Sequence, residues 1–225
     1  MNMLCFAPMH NHKRKDATRV FQPEAKRFLE YQKMPMEKLI LVDNKKNSRT
    51  MRKMILDTVE KSERLTSVFF FCHGFKSGIQ LGFNNATVKQ LAKSLNCNSW
   101  HTIPFRSCFY ACDTARDLDR DRRDDLEALG GDGGFADRFR DALCYEGMFH
   151  CRVDAHTTAG HASRNPNVRR FCGEGTTAGG KGGYYIVPFR STHWTAWRMA
   201  LKTDYRFAFP FLSSEKIISY LAGIA

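Results

Sequence analysis

The sequence predicts an α/β protein with a mainly parallel central sheet flanked by helices. Three observations carry that prediction. Short runs that are apolar throughout, such as Val68-Phe69-Phe70-Phe71-Cys72, read as strands covered on both faces. Amphipathic stretches separate them, in the order expected of right-handed βαβ units. Two of the runs end in a reactive side chain, one in His73-Gly74 and the other in Ala111-Cys112-Asp113. The carboxyl ends of parallel strands are where open α/β sheets bind their ligands.

Taken in order, residues 1–36 have little periodicity and read as an N-terminal extension, with a candidate helix over 24–31. A single domain over 37–225 follows. Its first core strand is Lys38-Leu39-Ile40-Leu41-Val42-Asp43. Asn47 or Ser48 caps a helix that carries Met51, Met54, Ile55 and Val59 on one face. After the strand at 68–72, the glycine-bounded alternation Gly78-Ile79-Gln80-Leu81-Gly82-Phe83 reads as a short strand or hairpin arm. Asn85 is placed to cap a helix over 86–95, and the strand ending at Cys112 comes next. Residues 116–134 are a dense mixed-charge run closed by glycines, the composition of an exposed linker. A helix over 135–145, a strand over 151–158, a glycine-rich loop over 173–183 and a strand over 184–189 complete the core. Ser213 or Ser214 would cap a terminal helix.

The chain has 225 residues, 43% of them hydrophobic and 26% charged, which is enough apolar material for one core. It has no apolar run long enough to span a bilayer. The first residues are too short an apolar stretch for a signal peptide, and Lys13, Arg14 and Lys15 follow that stretch instead of preceding it. The expectation is a cytoplasmic protein whose 8 cysteines are reduced and largely serve as small hydrophobes. The formal charge of +12 favours acidic partners. The basic residues are dispersed and no nucleic-acid-binding motif is present, so nucleic acid is not the expected partner, and neither is a membrane.

Cys112 is the candidate nucleophile. Cys108, Tyr110 and Cys112 share one strand face, but only Cys112 lies where the chain turns polar, so Cys108 belongs to the core. His73 is the candidate general base. A lone histidine is by default a core residue, but this one closes a uniformly apolar strand and is followed by a glycine that permits close approach of another backbone. An imidazole that takes the thiol proton lets the sulfur attack a carbonyl. The N–H groups of Gly74 and Cys112 border the same cleft and are the candidate oxyanion donors.

These two motifs resemble the caspase-like (clan CD) cysteine peptidases, including the CHAT group. CHAT proteins carry a similar Cys-His-Gly and a Ser-Ala-Cys-Glu-Thr-Ala run, which here reads Tyr110-Ala111-Cys112-Asp113-Thr114-Ala115. The order, His before Cys, is that of the family, at an interval shorter than the roughly 50 residues of caspases. The resemblance spans about residues 38–165 in element order and is specific at the two motifs. It implies a caspase-like fold, a cysteine endopeptidase acting through a Cys/His dyad, a peptide or protein substrate and no cofactor. The stretch from Ala155 to Asn165 is similar to a caspase segment that lines the substrate cleft, and it makes Arg164 a substrate-pocket residue for an acidic P1 side chain. The Trp before that Arg is missing, and Tyr110 stands where caspases have Gln. Asp113 or Asp154 could instead present a carboxylate to a basic P1 residue. Residues 116–134 correspond to the caspase processing linker, with Asp or Arg as the self-cleavage point according to that preference.

Other classes fit less well. Cys97, His101, His150, Cys151, His156 and His161 have some ligand-like spacings but form no paired Cys-x-x-Cys, so no metal site is expected. No Gly-x-Ser-x-Gly elbow marks a serine hydrolase, and residues 179–182 lack the P-loop spacing. A non-catalytic caspase-like module that binds protein or nucleic acid through its basic surface is the alternative. Against it stands the presence of both catalytic residue types.

Overall fold

The computed structural model describes residues 2–11, 20–98, 105–116, 134–156, 168–172 and 184–186. The chain order is β1 (Met3–Pro8), α1 (Phe21–Tyr31), β2 (Leu39–Val42), α2 (Ser48–Glu60), β3 (Ser67–Phe71), the small strands β4 (Gly74–Phe75) and β5 (Gly78–Ile79), α3 (Val88–Asn98), β6 (Phe105–Tyr110), α4 (Phe135–Tyr145), β7 (Cys151–His156), β8 (Val168–Cys172) and β9 (Tyr184–Ile186). The main sheet runs β2-β1-β3-β6-β7-β8-β9. Its first five strands are parallel, and β8 and β9 continue it by antiparallel pairing. The mixed α/β class with a mostly parallel sheet between helices is therefore as expected.

Helices cover both faces. On one face Phe21, Ala25, Phe28 and Leu29 of α1 pack with Met3, Cys5, Ala7, Phe69, Phe71, Cys108 and Tyr110. On the other, Met51, Ile55 and Val59 of α2, Leu91 and Leu95 of α3, and Phe135, Phe139 and Leu143 of α4 pack against Leu4, Phe6, Val68, Phe70, Phe109 and Val153. Alternate residues of β1, β3 and β6 feed opposite cores, so β3 is buried along its whole length. Phe70 ties the second core together, stacking on Phe6 at 5.3 Å and on Phe109 at 5.1 Å between ring centroids.

The N-terminal region departs from the sequence expectation. Residues 1–36 are not an appendage: β1 lies inside the sheet between β2 and β3, and α1 covers one face. The run at 38–43 supplies an edge strand, β2, and not the first strand of the core. Several local signals read true. Asn47 caps α2, its side chain accepting from the Thr50 N–H at 2.9 Å, and α4 spans 135–145 as expected. The cap ahead of α3 is displaced by one residue. Asn84, not Asn85, accepts from the N–H groups of Ala86 (3.0 Å) and Thr87 (3.1 Å), and the helix begins at Val88. The alternating stretch at 78–83 contributes only β5, which pairs with β4 as a tight hairpin immediately after His73. The strand expected over 184–189 is described over Tyr184–Ile186. The linker core at 117–133, the loop at 173–183 and the terminal helix lie outside the described residues.

Candidate active site

The chain leaves β1 toward β2 on one side, then crosses back through α2 to β3 on the other. The carboxyl ends of β1 and β3 therefore flank a topological switch point, where an open sheet offers a crevice. β3 and β6 are parallel neighbours with Phe71 opposite Tyr110. His73 follows the end of β3 by two residues and Cys112 follows the end of β6 by two, so both lie at the carboxyl edge of the sheet beyond neighbouring parallel strands. Phe69 and Phe71 of β3 and Cys108 and Tyr110 of β6 all belong to the α1-side core. His73 lies on that side too, its ring meeting Phe21 of α1. His73 and Cys112 are both half-buried.

His73 is held by neighbours on two sides. Phe21 of α1 meets its ring edge-on, with centroids 5.0 Å apart and planes at 88°. Its carbonyl accepts from the Gln80 N–H at 2.9 Å, and its own N–H donates to the Gln80 side-chain oxygen at 3.4 Å. Because Gln80 bonds His73 in this way, Gly74 and Ile79 form a non-hydrogen-bonded pair, and the Gly74 N–H is directed away from β5. Gly74 lies directly on the turn after Cys112. A β-carbon there would collide with the Cys112 carbonyl oxygen, the Thr114 methyl group and the Ala111 side chain. The glycine is thus what lets the His and Cys segments touch.

The turn that follows Cys112 is braced from several elements. Asp113 takes the left-handed conformation, φ 56°, which a short polar side chain tolerates. The buried Thr114 hydroxyl donates to the Ala111 carbonyl at 3.0 Å. The Ala115 N–H donates to the His156 carbonyl of β7, and the Ala136 N–H of α4 donates to the Thr114 carbonyl, each at 2.8 Å. The Phe135 N–H reaches the Lys76 carbonyl of the β4–β5 hairpin at 2.9 Å. Strand β7, helix α4 and the hairpin therefore fix the backbone that carries Cys112, a pre-organised arrangement suited to a reactive group.

The cysteines separate by environment. Cys5, Cys72 and Cys108 are buried, and burial pushes their thiols well above the ordinary value. Among the described cysteines whose exposure is defined, only Cys97 and Cys112 reach solvent.

The remaining expected site residues divide. Asp154 is not a substrate carboxylate. It sits mid-strand opposite Cys108, 4% exposed, with Arg152 donating to one oxygen at 2.6 and 2.9 Å and Arg170 of β8 to the other at 2.9 Å. Burial would raise its carboxyl pKa, but the two guanidinium groups and their hydrogen bonds win and hold it below the ordinary value. Burial acts on Arg152 in the opposite sense, toward the neutral form, yet a guanidinium stays charged wherever the protein folds. Asp113 faces Arg116 across 3.8 Å and serves its own turn. Arg164 lies outside the described residues, as do His101 and His161. Among the described residues no group of three or more His, Cys, Asp or Glu side chains is placed to hold a metal ion. No helix among them is long and apolar enough to cross a membrane.

Sequence reasoning missed Phe21, Gln80 and Thr114. Thr114 was in plain view within the Ala-Cys-Asp-Thr-Ala run, whereas nothing local marks Phe21, which reaches His73 only through the placement of α1. The chain matches no protein-family model, no curated protein and no solved structure.

Proposed function

We propose that the protein is a cysteine endopeptidase of caspase-like fold, with Cys112 as nucleophile and His73 as general base and acid. What supports the reading is that His73 and Cys112 each follow the carboxyl end of one of two adjacent parallel strands, and that Gly74 lies against the Cys112 carbonyl. In the reaction the Cys112 thiol gives its proton to the imidazole of His73, and Sγ attacks the scissile carbonyl carbon. The tetrahedral oxyanion faces the N–H groups of Gly74 and Cys112. The C–N bond breaks as the imidazolium returns the proton to the leaving amine, which departs. Water then attacks the thioester, passing a proton to His73. The acid product leaves and the thiol is restored. The braced turn limits the reorganisation needed as charge develops.

Turnover of a denatured protein such as casein tests the reading. Cys112→Ala and His73→Ala should abolish cleavage with the fold intact by circular dichroism, and Cys108→Ala should retain it. Undiminished cleavage by Cys112→Ala removes the assignment.

A further inference from the structure

We propose that Cys144 and Cys151 are a redox-active pair that closes to a disulfide under oxidising conditions. The pair lies at the end of the sheet opposite His73 and Cys112, and its chemistry does not depend on the peptidase reading. The two sulfurs are 3.9 Å apart, both buried in the core between α4 and the sheet. The backbone on each side of them is fixed. Cys144 belongs to the last turn of α4, which ends in a Schellman motif. There the Met148 N–H donates to the Leu143 carbonyl and the Gly147 N–H to the Cys144 carbonyl, each at 2.9 Å, and Gly147 takes the left-handed conformation, φ 88°. Cys151 opens β7 opposite Phe105 of β6, whose N–H donates to the preceding His150 carbonyl at 2.9 Å.

A disulfide needs its sulfurs at ~2.05 Å, and side chains that already meet reach it by rotation about χ1, with helix and strand left in place. The pair lies beneath the connection 145–150, where Tyr145 is 83% exposed and Phe149 53%, and a helix end opens more readily than a core strand. A small disulfide such as oxidised glutathione is the oxidant. One cysteine attacks it as the thiolate, forming a mixed disulfide and expelling one glutathione. The second cysteine then attacks the protein sulfur of the mixed disulfide, forming the Cys144–Cys151 bond and expelling the other glutathione. The protein dithiol gives up two electrons and two protons, and both end on the two glutathione thiols. The bond joins the far ends of the two elements that brace the Cys112 turn. Phe135 and Ala136 at the start of α4 bond the Lys76 and Thr114 carbonyls, and His156 at the end of β7 accepts from Ala115.

The test treats the folded full chain with oxidised glutathione, blocks the remaining thiols with iodoacetamide in denaturant, and digests with trypsin without reduction. Cleavage after Arg140 and Arg152 leaves both cysteines on one peptide, 141–152. That peptide should be lighter by two hydrogens and carry no alkyl group, and dithiothreitol should reverse the change. Oxidation should also raise the melting temperature by about 5 °C, the scale of a short closed loop in a chain of this size. Cys144→Ala and Cys151→Ala, treated alike, should show no such rise, which separates the bond from modification at Cys97 or Cys112. The mass reading needs no variant. Peptide 141–152 recovered with two alkyl groups, with glutathione on one cysteine, or joined to a different cysteine overturns the pair. A closed peptide in a protein that melts no higher than its reduced form also overturns it, because the folded geometry then does not accommodate the bond.

Discussion

At the scale of single residues, contact between the His and Cys segments depends on a missing side chain. Gly74 is buried with the Cys112 carbonyl, Ala111 and Thr114 where a β-carbon would project. Gly74→Ala must push the hairpin or the Cys112 turn aside. It should lower stability by about 1–3 kcal/mol, the usual cost of overpacking, and lower turnover further by displacing His73 from Cys112. Thermal melting and casein cleavage check the two effects separately, and an unchanged melting temperature would refute the contact. Asp154 offers a second residue-scale test. Asp154→Asn leaves Arg152 and Arg170 buried without their counter-charge. The expected loss is about 3–5 kcal/mol, measured by urea unfolding. The sign in pH follows from the depressed folded-state pKa. The stabilisation is fully present above the unfolded-state value near 3.9 and is lost as pH falls through the lower, folded-state value. Wild type should lose this contribution in acid, and Asp154→Asn should lack that component of the decline.

At the scale of elements, the decisive feature is the position of β1. It pairs with β2 on one side and β3 on the other, and α1 covers the face where His73 projects. A chain beginning at residue 37 therefore loses a central strand and exposes the inner edges of its two neighbours. That fragment should show no cooperative thermal transition. A fragment melting like the full chain would mean that residues 1–36 are dispensable after all. How legible these elements were depended on periodicity. Helices α2 and α4 announce themselves by apolar residues at helical spacing, and Asn47 by its capping position. Strand β3 is apolar from Val68 on and β6 ends in the apolar Cys108-Phe109-Tyr110 after Arg106 and Ser107, and each leads into a reactive residue. Strand β1 is six residues buried on both sides, so it has no alternation to read, and it borders a basic stretch at Lys13-Arg14-Lys15 that resembles a tail. The hairpin after His73 pairs only two residues per strand, too few for any pattern.

At the scale of the whole molecule, the site is a product of topology. His73 and Cys112 are separated by a hairpin and a helix in sequence, yet the parallel β3–β6 pairing returns them to one edge. The two motifs were readable because their chemistry sits at the ends of apolar runs. The bracing of the turn was not, because it draws on β7, α4 and the hairpin together. Nor was the fate of Asp154, since Arg170 reaches it only through antiparallel pairing across β7 and β8. The central claim is that His73 activates Cys112. It is tested most directly by the rates at which iodoacetamide alkylates each cysteine at neutral pH, followed peptide by peptide with mass spectrometry. Exposure alone ranks the exposed Cys97 ahead of the half-buried Cys112. The account predicts the reverse, with Cys112 reacting faster than Cys97 in wild type and falling to or below the Cys97 rate in His73→Ala. A Cys112 rate that trails Cys97 in wild type, or that His73→Ala leaves unchanged, would contradict it.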